Sequence, residues 1–124
     1  MVPQPLLAQS SLQPAGYREV APLAVLPHLG ELRLVDVREP DEYVGPLGHI
    51  AGATLVPLAT VPQASATWSP EDPVLLICRS GARSGRAAAF LAAQGYRNLF
   101  NLTGGMLAWE ANQLPRVHDH PQAG

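Results

Sequence analysis

One segment restricts the possible folds more than any other, and it reads VLLICRSGARSGRAAAFLAAQGY, residues 74–96. Its first four residues are all apolar, which is typical of a strand buried on both faces of a parallel sheet. A short loop containing glycine follows, and the alanine-rich run at 83–94 predicts a helix that ends at Gly95. A buried strand, a tight loop and a helix in this order indicate an α/β fold.

The rest of the chain alternates between strand-like and helix-like segments. Further strands are predicted at 31–37, 54–56 and 99–102, and further helices at 23–29, 41–44 and 106–111. Because this alternation is typical of a parallel sheet, the sequence predicts one α/β domain at 16–115. Residues 1–15 are rich in Pro, Gln and Ser and show no hydrophobic period, so we expect a flexible N-terminal tail. Residues 116–124 are expected to form a similar C-terminal tail.

Composition and charge exclude several classes of protein. Hydrophobic residues make up 47% and charged residues 15% of the 124, which favours an ordered core over disorder. A net charge of -2 argues against a nucleic-acid partner. We see neither an apolar run of membrane-spanning length nor a signal peptide, so no membrane partner is expected. One cysteine cannot form an internal disulfide, and it suits a reducing, cytoplasmic location.

That cysteine, Cys78, is predicted to lie at the carboxyl end of the 74–77 strand, where open α/β sheets bind ligands. Loop amides and the start of the next helix can hold an anion there, and Arg79 and Arg83 add positive charge. These effects lower the pKa of a thiol and make it a better nucleophile. An inert buried cysteine is the alternative, which the glycine turn, the arginines and the helix start disfavour. Ser80 and Ser84 can donate hydrogen bonds to a bound anion, although Ser84 can equally cap the helix.

Three segments together resemble a known family. They read LVDVREPDEYVGPLGHIAGATLVPL (34–58), CRSGARS (78–84) and GYRNLFNLTGGMLAWEANQLP (95–115). In this order and at these spacings, the chain resembles the single-domain rhodaneses, a family of sulfurtransferases. The resemblance implies a rhodanese-like α/β fold with a five-stranded parallel sheet and helices on both faces. It also implies a catalytic cysteine in the loop after the fourth strand, the position that Cys78 occupies.

The activity implied by the resemblance is that of a thiosulfate sulfurtransferase. Sulfane sulfur would pass from a donor such as thiosulfate, through a Cys78 persulfide, to cyanide in vitro or to a cellular thiol. Glutathione or a thioredoxin-like protein are the acceptors considered, and neither a metal nor an organic cofactor is expected. The loop residues would bind the substrate: Arg79, Ser80, Gly81, Ala82, Arg83 and Ser84. Asp36 is hypothesised to orient Arg79 or Arg83, and His49 is expected to make a structural hydrogen bond in its loop.

Two alternatives to sulfur transfer were weighed. A rhodanese-like domain can be a non-catalytic binding or regulatory module, but degenerate members commonly lose the cysteine that this chain keeps. Phosphatase or arsenate reductase chemistry is the other alternative, and loop length disfavours it. Four residues separate Cys78 from Arg83. Dual-specificity phosphatases of similar fold have one residue more and a histidine before the cysteine, where this chain has Ile77. The shorter loop leaves a pocket better suited to a single sulfur atom than to a tetrahedral phosphate.

Overall fold

The computed structural model describes residues 2–120, and within them the chain forms a mixed sheet flanked by helices. The sheet has six strands in the order β1-β2-β6-β5-β3-β4. Neighbouring strands are parallel except β1 and β2, which are antiparallel. The strands are β1 Ser10–Leu12, β2 Arg18–Val20, β3 Arg33–Asp36, β4 Thr54–Leu55, β5 Val74–Ile77 and β6 Leu99–Leu102.

Short helices connect most of these strands. Two 3₁₀ helices are present, Leu26–Glu31 before β3 and Leu58–Thr60 after β4. Among residues 2–120, no helix is long and apolar enough to cross a membrane. The α-helices are α1 Gln4–Ala8, α2 Pro22–Val25, α3 Pro40–Tyr43, α4 Val61–Ser65, α5 Ala82–Ala93 and α6 Gly105–Ala111.

The central strands β5 and β6 are buried along their whole length, which explains why both were predicted with their observed bounds. Side chains alternate between the two faces of the sheet. Leu75 and Ile77 therefore join one apolar layer, together with Trp109 of α6, while Leu76 joins the other with Leu91 of α5. Trp109 is almost completely buried and belongs to the core.

The predicted N-terminal tail is wrong for residues 4–12, and this error also changes the strand number. Residues 4–8 form α1, and Leu6 is fully buried in the core. Residues 10–12 form β1, which pairs with β2 and extends the predicted five-stranded parallel sheet to a mixed sheet of six. Elements of three to five residues are too short to display a hydrophobic period, and their stability comes from packing on the domain.

The C-terminal segment also contacts the domain as far as it is described. The backbone of Val117 pairs with that of His49 in an isolated antiparallel bridge. Arg116 donates a hydrogen bond to the carbonyl oxygen of Leu47. Residues 116–120 therefore lie against the 46–49 turn and not in a free tail, whereas 121–124 lie outside the described residues.

Candidate active site

Cys78 follows β5 directly and lies at the carboxyl edge of the sheet, as predicted. It continues the alternation of β5, so its side chain shares the face of Val74 and Leu76, which α5 covers. Only 1% of Cys78 is exposed. Because α5 begins at Ala82, the chain turns within residues 79–81, and the first turn of the helix lies beside the sulfur.

Two hydrogen bonds to the sulfur define the centre of the site. The N–H of Gly81 donates to Cys78 Sγ over 3.0 Å, and the Ser84 hydroxyl lies 3.2 Å from the same atom. Gly81 has a φ of +100°, in the left-handed region that favours glycine. This backbone conformation lets the loop turn back so that its amides face the thiol.

These donors change the acidity of the thiol. Burial raises the pKa of Cys78, but the Ser84 hydroxyl and the amides of Ser84, Gly81 and Ser80 lower it by more. The net effect is a pKa below the ordinary value of a cysteine. A larger fraction of thiolate is therefore present near neutral pH, which is the form that acts as a nucleophile.

Ser84 faces the thiol and does not cap the helix. The N-cap residue of α5 is Gly81, which has no side chain, and Ser84 lies fully buried in the first turn. Its hydroxyl also contacts Oδ1 of Asn101, a buried residue of β6. Asn101 is a site residue that was not predicted from the sequence. The available signal was a polar residue inside the otherwise apolar run LFNL, since a buried amide must find hydrogen-bond partners.

Arg83 forms a two-pronged ion pair with Glu42 of α3. Its Nη1 and Nη2 atoms donate to Oε1 and Oε2 of Glu42, each over 2.7 Å. These hydrogen bonds outweigh the effect of burial and lower the pKa of Glu42 to about 2. Both side chains are partly buried. Both terminal nitrogens of the Arg83 guanidinium are thus engaged by the Glu42 carboxylate. A role for Arg83 in binding substrate stays a prediction.

The hypothesis that Asp36 orients Arg79 or Arg83 is wrong in this structure. Both oxygens of Asp36 accept hydrogen bonds from the Arg38 guanidinium, over 2.9 and 2.8 Å. Arg38 also donates to the carbonyl oxygen of Gly48 over 2.7 Å. Asp36 and Arg38 are almost completely buried, and a buried guanidinium is stable only with a carboxylate partner. The ion pair of Asp36 and Arg38 therefore joins the end of β3 to the 46–49 turn.

The remaining loop residues lie at the surface. Arg79, Ser80 and Ala82 are exposed, and Arg79 lines a cavity of about 190 Å³ together with Arg38, Glu42, Pro46 and Leu47. This cavity adjoins the loop through Arg79, and Cys78 is not among the residues that line it. A larger cavity of about 540 Å³ is lined by residues of other segments, among them Tyr43, Thr54 and Asp119, and by none from the 78–84 loop.

The start of α6 holds the backbone of the 78–84 loop by hydrogen bonds. The N–H groups of Met106 and Leu107 donate to the carbonyl oxygens of Cys78 and Arg79, over 2.9 and 3.0 Å. Gly105 has a φ of +59°, and a Cβ at this position would lie 2.5 Å from both carbonyl oxygens. Gly105 therefore allows this close approach of the two backbone segments.

His49 makes the loop hydrogen bond that the sequence predicted. Its Nδ1 lies 2.7 Å from the carbonyl oxygen of Tyr43, and the two rings stack with centroids 3.5 Å apart. Its Nε2 lies 3.4 Å from Oδ1 of Asp119. These contacts give His49 a structural role in the 43–49 segment.

Comparisons with known proteins agree with this geometry. Residues 19–112 match the family described as "Rhodanese-like domain". The uncharacterized protein YqhL of Bacillus subtilis is 43% identical over 62% of this chain, and this chain spans 60% of its length. A sulfurtransferase of Allochromatium vinosum is 39% identical over 70% of this chain and 79% of its own length. Thiosulfate sulfurtransferase GlpE of Pseudoalteromonas translucida is 31% identical over 68% of this chain and 78% of its own.

A solved structure supports the same assignment. The crystal structure of a rhodanese-related protein from Thermoplasma volcanium superimposes with a TM-score of 0.75 at 26% identity, covering 83% of this chain and all of the other. The family model covers most of the chain, including the cysteine loop and the strands on either side of it. The resemblance found in the sequence is confirmed, and the chain belongs to the rhodanese-like family of sulfurtransferases and related proteins.

Proposed function

We propose that this protein is a sulfurtransferase that carries sulfane sulfur from a donor such as thiosulfate to a thiophilic acceptor as a persulfide on Cys78. The observation that carries this proposal is the set of donors around the sulfur, the Gly81 amide and the Ser84 hydroxyl. They stabilise negative charge on an atom that would otherwise be buried without a partner. Two relatives are named as a sulfurtransferase and a thiosulfate sulfurtransferase, which supports this class of reaction.

In the first step, the Cys78 thiolate attacks the outer sulfur of thiosulfate. A bond forms between Sγ and that sulfur, and the bond between the two sulfur atoms of thiosulfate breaks. The electron pair of the broken bond leaves with sulfite, and the terminal sulfur of the persulfide keeps the negative charge that it carried in thiosulfate. No proton, external oxidant or cofactor is consumed.

In the second step, a nucleophilic acceptor attacks the terminal sulfur of the persulfide. With cyanide, the product is thiocyanate and the Cys78 thiolate is regenerated. With a cellular thiolate, the sulfur leaves as the persulfide of that thiol. Because the chain has one cysteine, no second thiol within it can resolve the persulfide, and the acceptor must come from outside. Glutathione and a thioredoxin-like protein are acceptors of this type.

The ion pair of Arg83 disfavours phosphatase chemistry. A phosphate would need several strong donors around its oxygens, and the guanidinium fork best placed for this purpose is engaged by Glu42. The group that stays on Cys78 in sulfur transfer is a single sulfur atom, and the short loop directs donors to this position from the Gly81 amide and the Ser84 hydroxyl.

The persulfide is tested by intact-protein mass spectrometry. Wild type and Cys78→Ser are each treated with thiosulfate, desalted, measured, and then treated with cyanide. We expect the wild type alone to gain one sulfur atom and to lose it to cyanide with formation of an equal amount of thiocyanate. Cys78→Ser serves as the matched control, since it differs by one atom.

The same protocol is repeated with mercaptopyruvate and with a glutathione persulfide donor. Sulfur gain with only one of these would keep the reaction class and replace thiosulfate as the donor. A wild-type protein that gains sulfur from none of the three donors would overturn the proposed function.

A further inference from the structure

A row of polar side chains leads from β2 to the sulfur of Cys78. Asn101 of β6 is 2% exposed, and its Nδ2 atom donates to Oε2 of Glu19 over 2.9 Å and to the carbonyl oxygen of Gly81 over 3.0 Å. Oε1 of Glu19 in turn accepts a hydrogen bond from the Thr103 hydroxyl over 2.7 Å. Because both neighbours of Nδ2 are acceptors, a reversed amide would bring oxygen against oxygen. The Oδ1 atom of Asn101 must therefore face Ser84.

The Ser84 hydroxyl has one hydrogen and two acceptors within reach. One acceptor is Oδ1 of Asn101 and the other is Sγ of Cys78. A hydroxyl donates a single hydrogen bond, so it cannot serve both acceptors at once. Ser84 and Asn101 are almost completely buried, and bulk water is therefore not at hand to replace the missing donor.

The two positions of this hydrogen suit different states of the thiol. When the hydroxyl donates to Asn101, a lone pair of Oγ faces the sulfur, and a protonated thiol can donate its hydrogen to that lone pair. When the hydroxyl turns to the sulfur, it stabilises a thiolate, but Oδ1 of Asn101 loses its donor. An unsatisfied buried acceptor is unfavourable, so Asn101 favours the protonated thiol.

We infer that Asn101 is a positioning residue whose Oδ1 competes with Cys78 for the hydroxyl hydrogen of Ser84 and so opposes ionisation of the thiol. Glu19 holds the Asn101 amide in the orientation that creates this competition. The inference rests on the proposed function, in which Cys78 is the nucleophile. In that cycle the hydroxyl turns to the sulfur when the thiolate forms, and it can return to Asn101 once the negative charge lies on the terminal sulfur of the persulfide.

Charged side chains approach the site from each element packed around the loop. Arg83 of α5 interacts electrostatically with Cys78, and Glu42 of α3 largely neutralises it. These charges stay the same in the variants used below, so a change in thiol acidity reports on the hydrogen bonds. The other charged groups are the buried pair Asp36 and Arg38, Glu19 of β2 and Arg79 of the loop.

The test is the pH profile of alkylation by iodoacetamide, which reports on Cys78 alone because the chain has one cysteine. Asn101→Leu keeps the approximate shape of the side chain and removes both polar atoms. We expect the apparent pKa of the thiol to fall by about one unit, a tenfold change in the ionisation constant. Asn101→Ala, which cannot overfill the site, gives a second measurement in case circular dichroism shows that Asn101→Leu is misfolded.

A double variant separates this effect from a general loosening of the loop, since Asn101 also holds the Gly81 carbonyl. In a Ser84→Ala background, the competition has no hydroxyl to act on, so adding Asn101→Leu should leave the apparent pKa unchanged. An unchanged or raised pKa in the single variants would overturn the inference, as would an equal shift with and without Ser84. Alkylation needs no sulfur donor, so this outcome is distinct from failure of the persulfide test.

Discussion

The reactivity of Cys78 depends on a small number of donors at the scale of single residues. The side chain lies in an apolar layer with Leu76, Ala87 and Leu91, where an unpartnered thiolate would be strongly disfavoured. The Ser84 hydroxyl and the amides of Gly81, Ser80 and Ser84 reverse this preference. The Gly81 amide lies 3.0 Å and the Ser84 hydroxyl 3.2 Å from Sγ. Each of them therefore has a large share in the acidity of the thiol.

Ser84→Ala should move the pH profile of sulfur transfer to higher pH. The wild-type thiol has a lowered pKa, so the thiolate is present above that pKa and is lost as the pH falls through it. Removing the hydroxyl raises the pKa, and we expect the rise of thiocyanate formation with pH to shift upward by about one unit. The exposed Ser11 of β1 offers a control, and Ser11→Ala should keep the wild-type profile. A Ser84→Ala profile that coincides with that of the wild type would contradict this account.

Three helices converge on the loop at the scale of the elements. Helix α5 begins beside the sulfur, and α6 donates backbone hydrogen bonds to the carbonyl oxygens of Cys78 and Arg79. Helix α3 contributes Glu42, whose ion pair with Arg83 joins residues 41 positions apart in the chain. The loop is thus held at its start by α6 and at its end by α3, which keeps its amides directed at the sulfur.

The ion pair between α3 and α5 should stabilise the protein in a defined range of pH. Because the pKa of Glu42 is lowered to about 2, the stabilisation is present above the ordinary glutamate pKa of about 4.3 and is lost as the pH falls towards 2. We expect Glu42→Gln to reduce the free energy of unfolding at pH 7 by about 1–2 kcal/mol, with the difference from wild type shrinking below about pH 4. Urea unfolding at pH 7, 4 and 2.5 measures this difference.

Arg33→Gln is a useful comparison, since the pair of Arg33 with Asp72 is more exposed. Its removal should change the stability at pH 7 by less than the Glu42 substitution does. Equal destabilisation by Glu42→Gln at all three pH values would show that the ionised carboxylate is not the source of the effect.

At the scale of the whole molecule, two apolar layers lie on opposite faces of the sheet, and only one of them contains Cys78. Leu6, Leu75 and Trp109 belong to the layer on one face of the sheet, and Cys78 belongs to the layer on the other face. The N-terminal helix α1 therefore completes the core on the face of the sheet opposite Cys78. Its loss would expose apolar surface without removing any of the donors to Sγ.

Leu6→Ala should destabilise the fold and leave the thiol unchanged. Leu6 is fully buried, and a leucine-to-alanine change in a core costs about 2–5 kcal/mol. We expect a loss in this range in urea unfolding and a wild-type alkylation profile for Cys78 under native conditions. Leu12→Ala is the matched control, because Leu12 is 65% exposed and should cost little. A Leu6→Ala protein as stable as wild type would show that α1 does not contribute to the core.

Local pattern in the sequence determined the centre of the fold and the position of Cys78. Residues 74–77 and 99–102 form strands that are buried along their whole length. Their side chains are all apolar except that of Asn101, so the burial could be predicted from the residue types. Cys78 follows at the carboxyl edge because a strand, a loop and a helix in sequence leave few other positions for it. The family resemblance rests on residues 34–58, 78–84 and 95–115, which contain Cys78 and the second of these two strands.

Only the tertiary structure decided the sixth strand and the partners of the polar side chains. Residues 10–12 and 18–20 are too short and too polar to display a strand pattern, and they pair because the domain places them side by side. Glu42 meets Arg83, and Asn101 meets Ser84, across long separations in the chain. A charged or polar residue in a sequence offers many possible partners, and the packing of the elements selects the one that is within hydrogen-bonding distance.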